Sequence, residues 1–138
     1  RLTTSVSIEA AADRAWSVLI DVDRWPEWTA SVTRVARLDD APLHLGSRVR
    51  IEQPRLPGMT WSVTEFVEGK RFAWEASSRG VHTVASHVVE STDGGCRVTL
   101  SLEQSGWPLI LLGWWMKRIG ERYMGMEAQG LRQRCEAA

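Results

Sequence analysis

From residue 32 to residue 104 the chain reads as strand after strand with only short turns between, and one long helical stripe follows. That order leaves few folds open. Consecutive strands joined by short turns form an antiparallel meander. A sheet of about seven strands twists strongly and curls. A single long amphipathic helix is then the only later element large enough to cover the concave face. The strand-like segments are residues 32–38, 47–53, 59–68, 72–77, 81–91 and 96–103. The last alternates most cleanly, with Val98, Leu100 and Leu102 on one face and Arg97, Thr99, Ser101 and Glu103 on the other. Turn chemistry marks the joints: Pro54-Arg55-Leu56-Pro57-Gly58, Glu68-Gly69-Lys70, Gly80 and Thr92-Asp93-Gly94-Gly95.

Ahead of this run, residues 3–9 alternate as a strand and residues 10–20 carry a helical apolar face of Ala12, Ala15, Trp16, Leu19 and Ile20. Pro26 makes residues 23–29 a turn or a short second helix. After Gly106 and Pro108, the residues Leu109, Leu112, Met116, Ile119, Tyr123, Met126 and Gly130 recur at steps of three and four. They predict one buried helical stripe, with Lys117, Arg118, Glu121 and Arg132 opposite. The expected architecture is α+β: a helix grip, in which a curved seven-stranded antiparallel sheet wraps a long C-terminal helix, with two short helices after the first strand. Residues 1–138 are read as a single domain.

Charge narrows the partners. Seventeen basic residues balance seventeen acidic ones, so nothing points to nucleic acid or to a polybasic membrane anchor. The apolar stretch 107–116 is too short for stable insertion across a bilayer. Two cysteines, Cys96 and Cys135, form neither a disulfide framework nor a metal or redox spacing, and are expected to be reduced and structural. Together with the lack of a recognisable signal peptide, they make a cytoplasmic setting the expectation. The chain begins at Arg1 and not Met, which leaves open whether native residues precede it.

One count is unusual. The chain has eight tryptophans but only two phenylalanines and one tyrosine. Indoles are large and carry an N–H that needs a partner when buried. A wall around a cavity, with one side of each ring facing a ligand, accommodates them more easily than one compact core.

Three segments carry a family likeness. Asp21-Val22-Asp23-Arg24-Trp25-Pro26-Glu27-Trp28, the hairpin from Val63 through Glu68-Gly69-Lys70 to Trp74, and Gly94-Gly95-Cys96-Arg97-Val98-Thr99 occur in order along the chain. In this it resembles the START/Bet v 1-like (SRPBCC) superfamily, in its polyketide cyclase/dehydrase-like branch. The resemblance implies the helix-grip fold and a cavity between sheet and helix, with the Trp25 and Trp28 region at the mouth. It does not select a function, since such proteins include lipid and sterol carriers, hormone receptors, aromatase/cyclases and stress proteins.

The expected ligand-binding residues are Trp25, Trp28, Trp61, Trp74, His87, Trp115, Met116, Ile119 and Tyr123. Trp16, Trp107 and Met124 belong to the same aromatic and sulfur set, with Trp16 and Trp74 equally suited to core packing. His87 shares the register of Val81, Ala85 and Val89. A lone strand histidine is more often structural than catalytic, but if it faces the cavity it is the best polar or proton-transfer candidate, with Tyr123 assisting. His82 has the opposite parity and should face away; His44 sits in a loop. Arg48, Arg50 and Glu52 read as a solvated face, with Glu65 and Glu75 as cross-strand partners. The histidines lack metal-ligand spacing, and no phosphate-binding or nucleophile-elbow motif is present, so no metal and no cofactor are expected. The favoured reading is a binder or carrier of a small hydrophobic molecule; the rival is a cyclase/dehydratase without cofactor. Ile110 and Trp114 fall outside the buried stripe, as a homodimer contact or a transient membrane contact.

Overall fold

Strand β1 (Leu2–Ile8) leads into helix α1 (Ala12–Ile20) and a 3-10 helix, Val22–Glu27, and six more strands follow. They are β2 (Arg34–Arg37), β3 (Arg48–Glu52), β4 (Met59–Val67), β5 (Arg71–Ser78), β6 (Val81–Thr92) and β7 (Gly95–Ser105). Helix α2 (Leu109–Glu136) ends the chain. This computed structural model describes residues 1–137. The strands form one antiparallel sheet in the order β1-β7-β6-β5-β4-β3-β2. The first strand therefore closes onto the last, from Leu2 opposite Leu102 to Ile8 opposite Cys96. The architecture is the expected helix grip.

The sheet curves for local reasons. Long strands coil, and β6 and β7 run for 12 and 11 residues. The β4–β5 pairing slips by one residue between Val63 and Glu65, a bulge that bends the strand. The β5–β6 hairpin turns on Arg79 and Gly80, both at positive φ (51° and 85°), the geometry that matches strand twist. Alternation does the rest: in β3, Val49 and Ile51 point inward while Arg48 and Arg50 face solvent. The expected acidic partners differ. Glu65 pairs with Arg71, and Glu75 meets His82 Nε2 at 2.7 Å. The register explains this, because Arg50 lies opposite Thr60 and Arg48 opposite Ser62, with no carboxylate in reach.

Helix α2 corrects the predicted stripe. Its buried residues are Gly120, Met124, Ala128, Gly130, Leu131 and Cys135. Leu112 is 48 % exposed and Met126 only partly buried. The helix packs against β1, β7 and α1, and its buried residues run from Gly120 to Cys135. The contact face therefore drifts away from the line through Leu109 and Leu112, and the first turns project beyond the sheet. Gly130 makes the closest approach: a Cβ there would stand 1.8 Å from the Trp28 carbonyl oxygen.

Both cysteines are buried, and no disulfide joins them. Burial pushes the Cys96 thiol up, and pushes the Cys135 thiol up from 9.0 to about 11 against the opposing pull of Arg14. The unfolded chain ionises first, so this contribution to stability is complete below pH 9 and is lost as pH rises through 11. Urea unfolding at pH 8 and pH 11 should show the fall, and Cys135→Ala should flatten it.

Candidate functional site

Because α2 leans on β1 and β7, a gap opens between its N-terminal half and the inner face of strands β3 to β6. The gap is a cavity of about 320 Å³, at the lower end of the range for small-molecule sites. Its aromatic wall is Trp25, Trp61, Trp74 and Trp115, and α2 adds Met116, Ile119, Tyr123 and Met124. Trp74 is central, with ring centroids 5.3 Å from Trp25 and 5.7 Å from Trp61. Ile51, Val81, Ala85 and Leu102 complete the aliphatic surface.

His87 sits at the floor, 3 % exposed. Its ring stacks on Phe72 at 4.2 Å and meets the edges of Trp74 and Trp25 at 5.6 and 5.7 Å. Nδ1 lies 3.3 Å from the Phe72 carbonyl oxygen, and Nε2 lies 3.3 Å from Oε1 of Glu127 on α2. Both ring nitrogens thus face acceptors. Nδ1–H donates to the carbonyl, which leaves Nε2 turned toward the carboxylate. The approach is not well aligned, and Glu127 Oε1 has no hydrogen bond although it is shut off from solvent. The pair sits in a mostly apolar chamber, and both His87 and Glu127 line the cavity.

Glu127 was not read from the sequence. The signal was present: it is four residues past Tyr123 and three past Met124, on the face that the drifting helix contact buries. Tyr123 also lines the cavity, but its hydroxyl donates to the Pro54 carbonyl and ties α2 to the β3–β4 loop. It does not meet His87. His82 faces the outer side, as its parity predicts, and His44 is exposed.

The mouth is not where it was expected. Trp25 is buried at the floor, its Nε1 donating to the Leu19 carbonyl at 3.0 Å. Trp28 does not line the cavity; it borders a shallow cleft with Arg14, Arg24 and Arg134, and its Nε1 is buried without an acceptor. The cause is the close seat of α2 at Gly130, which fills the space beside the 3-10 helix. The opening lies at the other end, among Arg55, Leu56, Arg79, Leu112 and Trp115. Trp16 is core, packed edge-on to Phe66 and Phe72 with its Nε1 on Glu68. Trp107 and Trp114 are exposed.

The family model described as polyketide cyclase / dehydrase and lipid transport matches residues 1–136. The chain belongs to this family. No curated protein matches it. Solved structures share the fold at low identity. The di-domain aromatase/cyclase StfQ of the steffimycin biosynthetic pathway is 12% identical, with a TM-score of 0.80 over 98% of this chain and 50% of that one. This chain thus spans half the length of that relative. The Zhui aromatase/cyclase of a Streptomyces species is 16% identical (TM-score 0.76; 98% of this chain, 92% of that one). A START superfamily protein of Mycobacterium smegmatis is also 16% identical, with a TM-score of 0.76 over 98% of this chain and 96% of that one. No metal-ligating cluster occurs among the described residues of this family member, and no described helix is long and apolar enough to cross a membrane.

Proposed function

We propose that residues 1–138 form one ligand-binding domain that binds or carries a small hydrophobic molecule, its apolar body against Trp61, Trp74, Trp115, Met116 and Ile119. The observation that carries this reading is the cavity wall, which is predominantly aliphatic and aromatic, its inner polar groups being the His87–Glu127 pair and Thr83 with its Gln104 partner. Burial of apolar ligand surface supplies affinity at about 25 cal/mol per Å². The Glu127 carboxylate favours a ligand that carries a hydroxyl or other donor at its inner end. Lipid, polyketide and aromatic molecules all satisfy that description. A surface contact at Ile110 and Trp114 belongs to the same reading.

Native mass spectrometry of protein purified without denaturation tests it, together with titration of 1-naphthol against naphthalene. A co-purified apolar mass, or binding of 1-naphthol in preference to naphthalene, is the expected result. Ala85→Trp, which places an indole in the chamber, should abolish binding while the thermal transition is retained. A cavity that binds neither probe and carries no mass overturns the reading.

The His87–Glu127 pair favours one second reading, a cyclase/dehydratase acting on a polyketide-like substrate. Glu127 would exchange a proton with substrate, and His87, held at Nδ1 by the Phe72 carbonyl with Nε2 facing Glu127, would position it. The family and the aromatase/cyclase neighbours support either role.

A further inference from the structure

The first turns of α2 leave a hydrophobic surface uncovered. Trp107, Ile110, Leu111 and Trp114 are 69 %, 86 %, 81 % and 72 % exposed. Ile110, Leu111 and Trp114 share one helix face, and the next residue along it, Arg118, lays its guanidinium over the Trp114 ring at 5.3 Å. Ordinary proteins scatter such residues singly; a contiguous patch marks an interaction site.

We infer that this face docks on an anionic lipid surface and holds the cavity mouth against it. Charge selects the occupant. From residue 105 to residue 120 the only ionisable side chains are Lys117 and Arg118, with no carboxylate. Arg55 and Arg79 stand at the same mouth, both at positive φ (65° and 51°), where Asn or Gly would fit with less strain. Apolar tips set among cations match the bilayer interface: indoles and aliphatics enter the headgroup boundary while Lys and Arg meet the phosphates. A second copy of this chain fits worse. A two-fold contact opposes each patch to itself and would bring Lys117, Arg118, Arg55 and Arg79 of each copy together, with Glu121 one turn along the helix as the nearest carboxylate in sequence to the lysine–arginine pair. Continuity with the site supports the assignment. Leu112 and Trp115, which line the mouth, are the immediate neighbours of Leu111 and Trp114. An apolar molecule can then pass from bilayer to cavity without crossing water. The helix lies on the surface and does not span it.

The docking inference rests on the ligand-binding reading only for what is exchanged, and the two are tested apart. Vesicles of phosphatidylcholine alone, and of phosphatidylcholine mixed with phosphatidylglycerol, are sedimented with the protein. Wild type should partition to the anionic vesicles about tenfold or more above the neutral ones at low salt. Ile110→Ser with Leu111→Ser and Trp114→Ser should weaken that partition by about tenfold or more. These residues do not line the cavity, so 1-naphthol affinity in solution and the thermal transition should be unchanged. Lys117→Glu with Arg118→Glu should erase the preference for phosphatidylglycerol. Equal partition of wild type and the triple variant overturns the inference. So does a concentration-dependent dimer that the triple variant breaks while wild type ignores vesicles. Loss on charge reversal with no effect of the triple variant also overturns it, and points to an acidic protein instead.

Discussion

His87→Ala should lower the unfolding free energy by about 3–5 kcal/mol, while His87→Leu combined with Glu127→Leu should recover most of that loss. The single change removes a ring packed between Phe72, Trp74 and Trp25 and strands the Glu127 oxygen that faces it. A buried carboxylate without its partner is penalised more heavily than a missing contact. The double change removes both polar groups and leaves two side chains of suitable volume. Urea denaturation of the three proteins gives the stabilities. A single variant as costly as the double would show that packing alone, and not the pairing of His87 with Glu127, is at stake. Function separates the two readings of the cavity. If the pair only positions a ligand, the double leucine variant should still bind naphthalene and lose its preference for 1-naphthol. If the pair transfers protons, turnover of a polyketide-like substrate should disappear while that substrate still binds.

Gly130→Ala and Gly125→Ala should move stability in opposite directions. Alanine normally gains about 0.5–1 kcal/mol over glycine inside a helix. At Gly125 nothing lies within 4 Å of an added Cβ, so that gain should appear in full. At Gly130 the same atom would meet the Trp28 carbonyl oxygen at 1.8 Å, and a backbone oxygen cannot swing aside. The overpacking term of about 2–4 kcal/mol then outweighs the propensity. Differential scanning calorimetry of the pair gives the signs. A stabilised Gly130→Ala protein would mean that α2 does not seat against the segment after the 3-10 helix.

The succession of strands and the alternation of their faces were legible because a two-residue period, once half-buried, fixes every side chain along a strand; the cross-strand register was not, and it separates Arg48 and Arg50 from the carboxylates expected beside them. His87 could be placed on the inner face by parity alone. The helix was less legible. A stripe at steps of three and four identifies a helix, but it does not say which half meets the sheet. Following Leu109 and Leu112 led toward Met126, whereas the packed half buries Met124, Ala128 and Leu131 more fully, with Glu127 between them. Glu127 was missed for that reason. The mouth was misplaced because Trp25 and Trp28 are neighbours in sequence, while the Gly130 contact fills the space beside them. The tryptophan surplus pointed to a wall, but only four of the eight line it.

The seating of α2 at one end gives the cavity walls of unequal compliance. Three sides are strands locked into a seven-membered ladder. The fourth is the free length of a helix about 42 Å long, whose buried anchorage begins at Gly120. A bulkier guest is accommodated by pivoting that lever about its anchored half, with no strand pairing broken. The Tyr123–Pro54 tie falls just inside the anchored half and fixes the point from which the lever extends.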